Sequence, residues 1–160
     1  MSAMNWFKRI LGQDTGAAAQ PPANTAAVQP PADPSAEVAG LNFMTAIEAH
    51  IKWKSRLESY VNGTSNEDLK AEIICRDDQC PLGKWIYGTG GERFGTIDAF
   101  GDMKGQHTLF HQCAGKVVET AQAGKKEEAM RLLQYGDYVR ASEQVKRQLA
   151  KLYVRLNTSA

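Results

Sequence analysis

The stretch KKEEAMRLLQYGDYVRASEQVKRQLAKLYVRL, residues 125–156, decides the fold class. Leu132, Val139, Val145, Leu149, Leu152 and Leu156 fall on one side of a helix or coiled-coil seam, with charged residues filling the other side. One long helix is expected here. Upstream, LNFMTAIEAHIKWKSRLESYV (41–61) carries a similar stripe through Phe43, Ile47, Leu57 and Val61. His50 or Ile51, and Trp53 or Lys54, complete it, and Asn62-Gly63 supplies the stop. SNEDLKAEIICR (65–76) reads as a shorter helical piece capped by Ser65 or Asn66. A third long pattern runs from Gly95 or Thr96 to about Ala123, weakened in propensity by Gly101, Gly105 and Gly115. No alternating strand pattern is visible. The expectation is all-α: an antiparallel four-helix bundle with a short additional helix, preceded by a disordered linker.

Composition divides the 160 residues into three parts. Residues 1–12, MSAMNWFKRILG, form an amphipathic peptide with Trp6, Phe7, Ile10 and Leu11 on one side. Residues 13–40 hold five of the six prolines and almost no large apolar side chain, so they bury too little to offset their ordering entropy. As a flexible chain this linker separates its ends by about 30 Å. Residues 41–160 are expected to fold as one helical domain.

A net charge of +1 and the absence of a Lys/Arg run argue against nucleic-acid binding. No apolar run approaches membrane-spanning length and no secretory cleavage site is visible, so the chain reads as cytoplasmic. Three cysteines without framework spacing point to metal or thiol chemistry rather than a disulfide scaffold.

That chemistry centres on CRDDQCPLGKWIYG (75–88), which interrupts the helical text with two cysteines, a proline and two glycines. Pro81 suits a first helical position and puts Cys80 at the N-cap of a short helix, whose dipole and free N–H groups favour the thiolate. Gly83 permits close approach to a neighbouring element, and Trp85, Ile86 and Tyr87 offer apolar surface. His107 and His111 stand four apart in HTLFH, on one helical face one turn apart, and His50, the remaining histidine, lies beside the first stripe. Three imidazoles and a thiolate suit tetrahedral Zn²⁺ and leave no position for a catalytic water. Thr108 stands where a zincin carries its general-base Glu, and the Glu-x-x-His pairs of di-iron bundles are missing, so no enzymatic activity is expected. Cys113 lies about 200° around the helix from His111 and is left out of the site. Cys75 is a candidate resolving thiol for Cys80. Glu48, Asp77 and Asp78 are candidates to orient the imidazoles, with nothing to choose among them.

HIKWKSRL from His50, CPLGKWIYG from Cys80 and HTLFH at 107–111 together resemble the chemoreceptor zinc-binding (CZB) family, over about residues 41–157. The resemblance implies a helical bundle that binds zinc through His50, Cys80, His107 and His111. Members sit at the ends of bacterial chemoreceptors or on diguanylate cyclases, some as dimers, and regulate output in response to zinc or to oxidants such as hypochlorous acid. It therefore implies a homodimer, a signalling partner from a chemotaxis or cyclic-di-GMP pathway, and Cys80 as redox switch. This chain has neither a receptor signalling tip nor a cyclase motif, so output must pass through a partner. The N-terminal peptide (Trp6, Phe7, Ile10, Leu11) is the candidate element for contacting it, or for a weak membrane contact. The rival expectation is a structural or zinc-buffering adaptor in which metal only holds the fold.

Overall fold

The computed structural model of the chain describes residues 3–11 and 33–158; the part of the expected linker between 13 and 32 lies outside the described residues. The fold is an all-α bundle. Three long helices, α2 (Phe43–Asn62), α6 (Asp98–Gln122) and α8 (Asp137–Thr158), and the shorter α7 (Lys126–Tyr135) pack on one another. Their facing stripes bury Ile47, Leu57, Phe110, Val117, Leu133, Val145 and Leu149 completely. Short helices α3 (Ala71–Ile74), α4 (Pro81–Ile86) and α5 (Thr89–Phe94) fill the connection between α2 and α6.

Several local expectations match the structure. Gly63 closes α2 in the left-handed region at φ 73°, while Asn42, which the sequence reading did not single out, caps its start by accepting the Thr45 N–H at 3.0 Å. Pro81 stands in the first turn of α4 and Cys80 is its N-cap.

Others are corrected. The single helix expected over 125–156 is interrupted at Gly136, whose extended backbone (φ −91°, ψ −166°) separates α7 from α8. The helical piece expected from Ser65 or Asn66 starts only at Ala71, because the Ser65 hydroxyl accepts the Glu67 N–H in a local turn at 3.2 Å and competes with helix formation. α5 was not expected at all. Residues 33–40, read from the sequence as linker, take defined structure. Pro34–Ala36 make one 3₁₀ turn, and a small antiparallel hairpin pairs β1 (Glu37–Val38) with β2 (Leu41–Asn42). Ala39 and Gly40, both at positive φ, form the two-residue turn such hairpins need. Its strands are too short to show in periodicity. Groups outside it hold it in place: Tyr153 O–H donates to the Ser35 carbonyl at 2.8 Å, and the Trp85 indole N–H to the Ala39 carbonyl at 3.1 Å.

The N-terminal peptide forms helix α1 (Ala3–Ile10) and packs on the bundle. Phe7 is fully buried and stacks on Tyr153 of α8, ring centroids 3.9 Å apart and planes 25° from parallel. Burying a side chain of this size contributes about 1.5–3 kcal/mol.

Two glycines of α6 separate propensity from packing. A Cβ at Gly105 would meet nothing within 4 Å, whereas one at Gly115 would lie 2.7 Å from Cys75 Cβ and 3.1 Å from its backbone N. Gly105→Ala is expected to stabilise the fold by about 0.5–1 kcal/mol. Gly115→Ala is expected to destabilise it by about 1–3 kcal/mol by pushing α3 off α6. Urea unfolding midpoints of the two variants check both signs.

Candidate metal centre

α2 and α6 set the imidazoles against one another in the core. His50 projects from the middle of α2, and His107 and His111 from successive turns of α6; all three are buried. Ring centroids are 5.2 Å apart for His50 and His107, and 4.6 Å for His107 and His111. α4 brings in the sulfur. Cys80 Sγ lies 3.2 Å from His107 Nε2 and accepts the Gly83 N–H at 3.2 Å. One donor atom from each of His50, Cys80, His107 and His111 falls within 4.8 Å of all the others.

Backbone carbonyls fix two of the rings. His50 Nδ1 donates to the Ala46 carbonyl at 2.7 Å, one turn back in α2, and His111 Nδ1 donates to the Ile74 carbonyl at 2.9 Å, at the end of α3. A carbonyl can only accept, so each Nδ1 carries the proton and each Nε2 keeps a lone pair. Both Nε2 atoms are buried with no protein hydrogen-bond partner, as is His107 Nδ1. That last nitrogen points toward Asp77, whose Oδ2 is 4.0 Å away. The same Asp77 oxygen accepts Thr108 O–H at 2.6 Å and Tyr87 O–H at 2.9 Å. Of the three acids the sequence offered, only Asp77 thus faces a site imidazole; Asp78 is forked to Arg76 instead. Buried polar atoms are seldom left unpaired, and the two unpaired Nε2 atoms of His50 and His111, beside a thiol already against His107 Nε2, are explained by a cation with nitrogen and sulfur preference. The residues fit zinc.

Electrostatics favour the uncharged ligands a metal needs. Burial pushes His50 down to about 4 and His107 to about 2, the latter also repelled by its neighbouring imidazoles. Burial lowers His111 too. Cys80 departs from expectation: burial raises its thiol pKa and the nearby Asp77 adds to this, outweighing the lowering effect of the Gly83 and Leu82 amides. A six-residue helix tip does not by itself produce a thiolate here.

Gly83 approaches the backbone closely, though not that of a neighbouring helix. A Cβ there would sit 1.7 Å from the Asp77 carbonyl oxygen, so the loop before α4 and the first turn of α4 close on one another only with glycine at this position. A cleft of about 510 Å³, walled by Trp53, Ile73, Ile74 and Leu82, reaches His50, Cys80 and His111 from the surface. Cys75 is exposed and packs at Gly115, one turn along α6 from His111, and stays outside the donor cluster. Cys113 stays outside the cluster. Sequence reasoning missed the Ala46 and Ile74 carbonyls, because every residue type has one, and the hydroxyls of Thr108 and Tyr87.

This is a helical bundle with a closed nitrogen and sulfur donor set. Residues 50–118, which span all four donors, match the family model described as the chemoreceptor zinc-binding domain. No curated protein and no solved structure matches the chain.

Without metal, the buried neutral imidazoles make stability pH-dependent. Folded-state pKa values below the ordinary 6.5 mean that the unfolded chain binds more protons, so stability is fully present above pH 6.5 and falls as pH drops toward the folded values. The His50 shift alone corresponds to a loss on the order of 3 kcal/mol between about pH 6.5 and 4. Urea denaturation of metal-stripped protein across this range is expected to show that loss, and His50→Phe is expected to flatten it.

Proposed function

We propose that the chain is a non-catalytic, cytoplasmic zinc-binding regulatory module. His50, Cys80, His107 and His111 hold the metal, and Cys80 is its oxidant-sensitive ligand. The observation that carries this reading is the convergence of four buried donors, with the unpaired Nε2 atoms of His50 and His111 aimed at one point. When bound, zinc supplies a positive charge that favours the Cys80 thiolate over the thiol. The chain's own groups do the rest. The Ala46 and Ile74 carbonyls hold two rings in the ligating tautomer, and Asp77 faces the Nδ1 of His107.

The cleft gives a small neutral oxidant access to the sulfur. With hypochlorous acid, the Cys80 thiolate takes the hydroxyl group and becomes a sulfenic acid, while chlorine is reduced and leaves as chloride. The sulfur loses its negative charge in that step and becomes a poor ligand. Because α4 is only six residues long and begins at Cys80, the change is delivered directly to that helix. The resulting signal passes to a partner in a chemotaxis or cyclic-di-GMP pathway, with the module acting as a homodimer. Complete burial of the imidazoles also favours a second reading, in which zinc only holds the fold of an adaptor.

Elemental analysis of purified protein is expected to give about one zinc per chain. Wild type is expected to lose it to a measured dose of hypochlorous acid, with Cys80→Ala showing the same metal content before and after. Zinc retained by oxidised wild type would favour the adaptor, and metal-free protein prepared without chelator would reject the site. Asp77→Ala is expected to lower zinc affinity by about 10–100-fold in chelator competition, and Glu48→Ala to leave it unchanged.

A further inference from the structure

The N-terminal helix and the cysteine-bearing helix rest on the same aromatic seat. Phe7 of α1 stacks on Tyr153 at 3.9 Å, Tyr153 meets Phe43 at 5.6 Å, and Phe43 meets Trp85 of α4 edge-on at 5.5 Å. All four rings are buried. The polar ends of the column clamp one short segment from both sides. Tyr153 O–H holds Ser35 and the Trp85 N–H holds Ala39, while Asn42 Nδ2 donates to the Asp33 carbonyl at 2.9 Å. The Asp33 carboxylate in turn faces the Ala3 amide at the start of α1.

The column is joined to the metal centre through Phe43 and Trp85. Phe43 opens α2, which carries His50 two turns further on, and Trp85 lies one turn and a half beyond Cys80 in α4. A bond from His50 and from Cys80 to one ion draws α2 and α4 together, and the same closure seats Phe43 on Trp85. Packed aromatic contacts of this kind lose roughly a quarter to a half of their attraction when a neighbour withdraws by up to about an ångström.

From this geometry we infer that docking of α1 on α8 is coupled to occupancy of the metal centre. Metal holds α4, α4 holds the hairpin and the Phe43–Tyr153 seat, and the seat holds Phe7; loss of the ligand bond frees α1. The inference rests on the proposed zinc site and adds the element that reports its state. Freed α1 presents its Ala3 and Phe7 face, and α8 presents the Tyr153 seat, both covered in the docked form. Residues 12–32 keep the helix tethered, so redocking is intramolecular.

Trypsin reads this directly in the full-length chain. Lys8 and Arg9, both within α1, are the first tryptic sites, and the next is Lys52 in α2. Zinc-loaded protein is compared with protein stripped of metal and then freed of chelator. Cleavage at Lys8 and Arg9 is expected to be about tenfold faster in the stripped form, with cleavage at Lys52 unchanged. By linkage, Phe7→Ala is expected to weaken zinc binding by up to the same factor in competition with a chelator. If the wild type binds zinc but α1 is cleaved equally fast in both forms, the coupling is overturned while the zinc site stands. Equal acceleration at all sites, marking global loosening, or unchanged zinc affinity in Phe7→Ala overturns it too. A chain that binds no zinc in either form fails the underlying reading instead.

Discussion

Three imidazoles set against one another in the core without charge, two of them with no hydrogen-bond partner for the inward Nε2, are the constraint around which this bundle is built. Burying an imidazole forces it neutral, and a neutral ring still needs one donor and one acceptor relationship satisfied. The Ala46 and Ile74 carbonyls satisfy the donor side of His50 and His111 and thereby aim their lone pairs at the gap that Cys80 Sγ enters. The arrangement costs stability when the gap holds no cation. Metal and protons therefore compete for the same lone pairs, and both the fold and the affinity strengthen in the same direction as pH rises.

The sulfur side is constrained differently. α4 has only a few residues with which to hold its place, and it does so by letting Gly83 touch the Asp77 backbone and by lodging Trp85 among Phe43, Phe94 and Phe100. Asp77 works against the thiolate and toward the imidazole: its carboxylate raises the Cys80 pKa while facing His107. A thiol so placed resists ionisation until a cation offsets that field. This ties the reactive form of the cysteine to occupancy of the site more closely than a helix dipole could.

Residues whose side-chain type announces their chemistry were legible in the sequence, and those acting through the backbone were not. The i, i+4 pair His107/His111, the Pro81 start of α4 and the Asn62-Gly63 stop follow from period and capping, which are local rules, and the structure repeats them. The break at Gly136 had a signal, a glycine followed by Asp137, but the leucine stripe ran across it and suggested continuity. The hairpin at 37–42 had almost none. Its two-residue strands are held by Tyr153 and Trp85 from more than forty positions away, and no window on the sequence contains both partners. The same holds for α1, where an amphipathic helix reads identically whether its apolar face meets a partner, a membrane or its own domain.

That ambiguity bears on how a closed site can communicate. If zinc takes all four donors, as proposed, nothing reaches it without displacing one of them, so a response would begin with a ligand leaving. The imidazoles are poor candidates, since α2 and α6 are long and the rings of His50 and His111 are held by carbonyls within the core. Cys80 sits at the end of a six-residue helix, partly exposed along a cleft, and is the ligand that can move at least cost to the bundle. On the proposed reading, its withdrawal would leave the long helices intact and concentrate the change in α4 and whatever leans on α4. In this chain that is the hairpin and the aromatic seat of α1, so the weakest-held ligand and the most separable helix lie at opposite ends of one packed column.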